Sequence, residues 1–240
     1  MLLSALSSGP LAEVIALLQP RSAYSRSILG AGRWAVRYGA FGQPSFCAVL
    51  DGGCRLAVQG QEAVELRQGD FVLLPATPGF VMSSLEAGAT PVDLSAQQIA
   101  AEAMRLDGGA GAGPTLDEAL RHGDPEAEPD LRLLGGYFTF GSPDAALLVS
   151  LLPAMLHVRG APRLSWLVGQ VGEETRTRRS GRMLVMSRFV ELMLIEALRS
   201  CAEAGGNTDA VPPGLLRGLS DPRLAQACAR CMPLRVGSGP

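Results

Sequence analysis

Apolar and polar residues alternate with a period of two between Phe46 and Phe80, which is typical of half-buried β-strands. Cys54, Leu56 and Val58 fall on one face, and the residues between them fall on the other. Glycine-containing turns at 51–53, 60–61 and 68–70 separate the apolar runs, because glycine supplies the positive φ of tight hairpins. The pattern predicts an antiparallel β-meander of the kind that closes into a barrel or jelly roll.

The segments on either side extend this prediction. Residues 24–38 read as two strands broken at 30–32, and residues 131–141 alternate again and predict a late strand. Residues 10–18 carry apolar positions at helical spacing and end at Pro20, which predicts a short helix on the barrel.

The period becomes helical after Ser142. Residues 145–152 predict a short helix, and residues 164–171 and 183–198 predict two longer ones. The last is apolar almost all round, so we expect it to be buried on both sides. One side would pack within the subunit, and the other on a partner subunit or on a further domain.

Residues 95–130 differ in composition. Residues 108–114 are glycine-rich and residues 124–130 are acidic with proline, so both predict loop or disorder. We expect a flexible, exposed insertion at about 100–130, with His122 facing solvent. The predicted organisation is a barrel at 1–141, a helical dimerisation or linker subdomain at 142–205 and an irregular tail at 206–240.

Composition excludes several function classes. The chain has 240 residues, 47% hydrophobic and 18% charged, enough for one domain or one and a half. The net charge of −2 gives no general attraction to nucleic acid. Every basic residue is arginine, which excludes catalytic and Schiff-base lysines.

The same sequence predicts a cytoplasmic protein. No apolar run reaches the 18 residues of a membrane span, and the N-terminus lacks the basic region of a signal peptide. The five cysteines are scattered and odd in number, which favours reduced thiols.

Residues 69–75 (Gly-Asp-Phe-Val-Leu-Leu-Pro), followed by Gly79, look like the second signature of the cupins. Residues 46–52 look like the strand that opens the first signature. Together with residues 33–37, the order resembles the cupin-type N-terminal ligand-binding domain of AraC-like transcriptional regulators, over roughly residues 8–227. The resemblance implies an α+β fold, mainly β plus helices: a cupin-like double-stranded β-helix or jelly-roll barrel followed by a helical hairpin.

The chain departs from the metal-binding cupins. Its two histidines, His122 and His157, lie outside the barrel signatures, and Cys47 stands where the first-signature histidine is expected. Phe80 stands near the last histidine position. A metal site needs about three or four converging donors, so we expect no metal, no cofactor and no catalytic residue. Cys47 and Cys54 are then small apolar fillers.

The end of the chain is the second departure. Residues 214–227 look like the family's junction into its DNA-binding domain, and thirteen residues follow. A helix-turn-helix needs two packed helices and a supporting one. We therefore expect DNA binding only through a C-terminal domain that this chain lacks. A chosen boundary, a premature stop and a reading-frame shift all stay open.

The leading hypothesis is a sensor: a small-molecule effector binds in a metal-free barrel, and the helices at about 164–200 form a homodimer. The resemblance and the strand alternation place Trp34, Cys47, Val49, Phe80 and Met82 in the pocket wall. Arg37 or Arg55 is a candidate to orient an anionic ligand, although an outward, solvated arginine is the simpler interpretation. The alternatives are a metal-dependent cupin enzyme, an oxygenase or isomerase, and an interaction module with an inert barrel.

Overall fold

Two β-sheets and a layer of helices stack on one another. The computed structural model describes residue 15 and residues 20–94, 119–141, 145–177 and 179–204. The strands are β1 Pro20–Ala31, β2 Ala35–Tyr38, β3 Ser45–Asp51, β4 Gly53–Val58, β5 Val64–Arg67, β6 Phe71–Leu74, β7 Phe80–Ser83, β8 Val92–Leu94, β9 Leu120–Gly123, β10 Leu131–Phe140 and β11 Leu156–Val158. The helices are α1 Ala145–Ser150, α2 Pro162–Arg176 and α3 Arg182–Ala204.

The strands form a two-sheet jelly roll, which confirms the predicted fold class. The first sheet has the order β11-β6-β3-β10-β1-β9, and the second has the order β5-β4-β7-β2-β8. In the described part of the chain, two pairs are parallel, β1 with β9 and β2 with β8, and the other pairs are antiparallel.

The predicted antiparallel meander is not continuous, because most consecutive strands of this region belong to different sheets, although β4 and β5 pair as predicted. β3 lies in the first sheet and β4 in the second, with Gly52 between them at a φ of 73°. A Cβ atom on Gly52 would lie 2.0 Å from the carbonyl oxygen of Asp130. Only glycine fits this close approach, so Gly52 permits the chain to cross between the sheets.

Burial follows the predicted alternation where one face is open to solvent. In β4, Cys54, Leu56 and Val58 are buried and the residues between them are half-buried. In β6 all four residues are buried. The reason is that the second sheet covers one face of the first sheet and the helices cover its other face.

The helices pack one face each on the first sheet. Buried residues of α3 repeat at helical spacing and include Met186, Val190, Met193 and Ala197. The opposite face is open, with Leu184 75% and Leu192 44% exposed. In the single chain, one side of this helix is therefore buried and the other is not. Packing of the second side on a partner subunit or a further domain stays a prediction. No described helix is long and apolar enough to cross a membrane.

The flexible insertion predicted at about 100–130 contains a strand. Residues Leu120–Gly123 form β9, which pairs in parallel with Ile28–Ala31 of β1. His122 is 9% exposed, so its predicted exposure to solvent is wrong. Three other predictions fall outside the described residues: most of the N-terminal helix, the glycine-rich residues 108–114 and the tail from 206 onward.

Candidate functional site

A cavity of about 110 Å³ lies at one end of the space between the two sheets. Strands of both sheets contribute to its wall, and inward positions recur with a period of two, as in Phe80 and Met82 of β7. Aliphatic and methionine side chains are the largest group in the wall: Ile28, Leu56, Val72, Leu74, Met82, Leu94, Leu120 and Leu133. The cavity is therefore suited to an apolar group.

Two glycines in the middle of a strand help to open this space. Gly135 and Gly136 lie within β10 and line the cavity. A Cβ atom on Gly135 would lie 3.0 Å from Cδ1 of Ile28. Glycine inside a strand weakens the strand and often marks the close approach of another group. Here the missing side chains leave room beside the wall.

Aromatic rings form another part of the wall. Tyr38 and Phe80 stack with centroids 4.7 Å apart and planes 13° apart, and Phe41 meets Tyr137 edge-on at 6.5 Å. Phe46 also lies beside the cavity, but its ring packs on Phe71 and Phe138 in the core shared with the helices. Offset and edge-on pairs are favourable ring geometries, so these side chains support one another as a fixed surface.

Few polar groups lie at the cavity, and they are close to one another. Arg26 lines the cavity and is only 9% exposed. The Tyr38 hydroxyl lies 3.1 Å from Nε2 of His122. Burial lowers the pKa of His122 to about 4, and the positive charge of Arg26 adds to the effect. His122 is therefore neutral near pH 7. Burial also raises the pKa of Tyr38, with smaller contributions from Cys47 and Cys54.

The two cysteines of the barrel are poor nucleophiles. Burial, followed by the neighbouring Cys54 and Asp70, raises the pKa of the Cys47 thiol. Burial and Asp70 raise that of Cys54 to about 12. The thiolate is the reactive form of cysteine, so both side chains act as neutral fillers of the wall and the core.

Three of the five residues predicted for the pocket wall line the cavity: Cys47, Phe80 and Met82. Val49 and Trp34 lie in the same core between the sheets but do not line it. Trp34 instead packs against His122, with ring centroids 5.4 Å apart. Its indole N–H is buried without a hydrogen-bond partner among the described residues.

The two arginines proposed to orient a ligand lie elsewhere. Arg37 is exposed and pairs with Asp93 at 2.8 Å, and Arg55 pairs with Glu65 at 3.4 Å. The cavity arginine is Arg26, which the sequence analysis missed. Its position between Ser25 and Ser27 in a polar stretch carried no sign of burial. Alternation offered one signal, since Arg26 and Ile28 share a face.

Among the described residues, no group of three histidine, cysteine, aspartate or glutamate side chains converges to hold a metal ion. His157 serves a different role, since its Nε2 lies 3.1 Å from Oδ2 of Asp70. Asp70 belongs to the second cupin-like signature and also accepts hydrogen bonds from Arg159 and from the backbone N–H of Arg67. This cluster is a structural clamp outside the cavity.

Comparisons with known proteins agree with this architecture. Residues 9–203 match the model of the cupin family. A protein of Streptomyces lividans described as an AraC-like transcription regulator is 34% identical over 223 residues, covering 91% of this chain and 66% of the relative. A Streptomyces antibioticus protein of the same description is also 34% identical, with 67% of its length covered. The chain thus spans about two thirds of the length of these relatives.

Solved structures are more distant. A crystal structure of ToxT from Vibrio cholerae is 8% identical, covering 82% of this chain and 60% of that chain with a TM-score of 0.39. YhaK from Escherichia coli is 9% identical, with 56% and 39% covered and a TM-score of 0.30. On the family match and the two Streptomyces relatives, this chain belongs to the cupin family, as the cupin-type N-terminal domain of AraC-like transcription regulators.

Proposed function

We propose that this domain senses a small molecule, which binds without a metal in the cavity between the two sheets. The observation that carries the proposal is the cavity itself, with apolar and aromatic walls and a few polar groups around Arg26 and Tyr38. Ligand sites in proteins commonly combine such walls with a small number of polar groups that fix orientation.

Strand β6 offers a route from the cavity to the helices. Its Val72 and Leu74 line the cavity, whereas Phe71 and Leu73 face the core shared with the helices. A ligand that displaces the first pair also displaces the second, because both belong to one short strand. We propose that the bound state reaches α2 and α3 through this strand.

The open face of the helices is the proposed homodimer surface. It exposes large apolar side chains on both helices: Trp166 at 61%, Leu184 at 75% and Leu192 at 44%. A groove of about 320 Å³ runs between Trp166 and Leu192. Aromatic and aliphatic anchors in grooves are typical of interfaces between subunits.

In a complete regulator, we assign DNA contact to the part of the relatives that this chain does not span. The net charge of −2 supports this assignment, since it provides no general attraction to phosphates. We also place the protein in the cytoplasm. The described cysteines are consistent with a reducing compartment, because Cys47, Cys54 and Cys201 are all free thiols.

Native mass spectrometry of the purified chain, paired with a denaturing run, tests the sensor. We expect a small organic mass that is retained by the folded protein and released on denaturation. Val72→Phe places a larger ring in the cavity wall and should reduce this mass. Val81→Phe, the same change at a position outside the lining, should retain it.

The other outcomes separate the alternatives. A stoichiometric metal that disappears on denaturation would favour the cupin enzyme, an oxygenase or isomerase, over the sensor. An organic mass retained equally by Val72→Phe and Val81→Phe would place the ligand outside the cavity. A dimer in the native spectrum would support the proposed helical interface, and a monomer at micromolar concentration would contradict it.

A further inference from the structure

The wall of the cavity concentrates flat rings. Four aromatic side chains line it: Tyr38, Phe41, Phe80 and Tyr137. Ring surfaces bind other rings better than they bind flexible chains of the same area, because stacked and edge-on contacts add to burial. An engineered apolar cavity of roughly 150 Å³ binds benzene, so the volume of about 110 Å³ here is of the order that one ring occupies.

The wall of the cavity also carries a positive charge. Arg26 is the only charged residue among the described residues that line the cavity. Its charge reaches the polar groups beside the cavity: it opposes the rise that burial causes in the pKa of Tyr38, and it adds to the lowering of the pKa of His122. Arg26 also interacts within the protein. A guanidinium carries five N–H donors, so it can hold one partner and still bind a carboxylate on another edge.

We propose that the cavity selects a single-ring planar anion, of the class of aromatic carboxylates. The ring lies among Tyr38, Phe80 and Tyr137, and the carboxylate lies toward Arg26. This inference rests on the proposed function, because it names the ligand class of the same cavity. Gly135, the register partner of Arg26 on β10, also lines the cavity and has no side chain.

Isothermal titration calorimetry with three probes tests the class. Benzoate has both features, benzamide has the ring without the charge, and cyclohexanecarboxylate has the charge without the aromatic ring. We expect wild-type protein to bind benzoate at least 10-fold more tightly than either of the others. Loss of a charge-assisted hydrogen bond in a buried site accounts for a preference of this size over benzamide.

Two variants locate the charge effect. Arg26→Gln should remove the preference for benzoate over benzamide and leave benzamide binding unchanged. Arg55→Gln removes one positive charge from an exposed pair outside the cavity and should change neither affinity. Because Arg26→Gln can also weaken the fold, the comparison of the three probes on wild-type protein stands as an independent test.

The results distinguish this inference from the proposed function. Equal binding of benzoate and benzamide would overturn the anionic class, and equal binding of benzoate and cyclohexanecarboxylate would overturn the aromatic class. In both cases the cavity would remain a small-molecule site. If none of the three probes binds wild-type protein at millimolar concentration, and no organic mass is found by native mass spectrometry, the sensor proposal itself fails.

Discussion

Asp70 and Arg159, 89 residues apart in the sequence, form a bidentate ion pair that fastens the helical layer to the first sheet. Nη2 of Arg159 lies 2.6 Å from Oδ2 of Asp70, and Nε lies 3.0 Å from each carboxylate oxygen. Asp70 precedes β6, and Arg159 follows β11 just before α2. The pair therefore joins the wall of the cavity to the start of a helix.

Arg159→Gln should destabilise the fold by about 2 kcal/mol. The Asp70 side chain is only 3% exposed, so the variant leaves a buried carboxylate with His157 and the backbone of Arg67 as its remaining partners. Breaking one side of a fully buried pair costs roughly 3–5 kcal/mol. The Arg159 side chain is 53% exposed, so solvent screens this pair, and the remaining hydrogen bonds of Asp70 reduce the cost further. Urea unfolding followed by circular dichroism measures the change.

Arg33→Gln is the matched control, because Arg33 and Glu86 form an ion pair in which both side chains are well exposed. Exposed pairs contribute about 0–1 kcal/mol. Equal losses of stability in Arg33→Gln and Arg159→Gln would show that the Asp70 pair has no special role.

The stability of the protein should rise with pH between about 4 and 6.5 because of His122. Burial and the charge of Arg26 lower the pKa of His122 from 6.5 to about 4. In this range the unfolded chain binds a proton at His122 and the folded protein does not, so stability rises with pH. The predicted gain is on the order of 3 kcal/mol.

Asp70 affects the pH dependence of folding stability in a different pH range. Burial alone would raise the pKa of Asp70, but the hydrogen bonds from Arg159, the backbone of Arg67 and His157 outweigh burial and lower it from 3.8. Its stabilising effect is present above that value and is lost as the pH falls further. His122→Gln should therefore flatten the stability profile between pH 4 and 6.5. An unchanged slope in that variant would show that another group causes it.

Gly135→Ala should weaken binding of a cavity ligand several-fold, with a change in folding stability below about 1 kcal/mol. The added methyl group meets the end of the flexible Ile28 side chain, which also lines the cavity. Gly169→Ala is the control, because Gly169 is exposed on α2 with no atom within 4 Å of the new Cβ. Calorimetric titration of both variants checks the prediction, and equal affinities would contradict it.

Leu192→Glu should shift the protein from dimer to monomer and raise the dimer dissociation constant at least 10-fold. The reason is that a carboxylate would be buried in the proposed apolar interface between helices. Val92→Glu is the control, since Val92 is 67% exposed on β8 and lies outside the helices. Sedimentation equilibrium measures both. A dimer that Leu192→Glu leaves intact would place the interface elsewhere.

Much of the fold follows from local patterns. The alternation in β4 depends only on which face of a strand meets water, so Cys54, Leu56 and Val58 were assigned correctly. The route of the chain between the two sheets could not be predicted from local patterns. The crossover at Gly52 depends on Asp130, which lies far away in the sequence.

The candidate site was less predictable for the same reason. Alternation identified Cys47, Phe80 and Met82 as inward-facing, but the depth of each residue along the barrel depends on strand register. Val49 therefore packs in the filled part of the core and does not line the cavity. His122 was expected to face solvent, and its burial follows from the pairing of β9 with β1. Arg26 was not indicated as a cavity residue, because its neighbours Ser25 and Ser27 are polar.

Nuclear magnetic resonance of methyl-labelled protein tests the central claim most directly, since it shows where a ligand binds. Titration with benzoate should shift the methyl signals of Ile28, Val72 and Leu133, which line the cavity. The methyl signals of Leu184 and Leu192 on the open helical face should shift much less. Shifts confined to that helical face would contradict a ligand site between the two sheets, and no shifts at saturating benzoate would contradict the aromatic-carboxylate class.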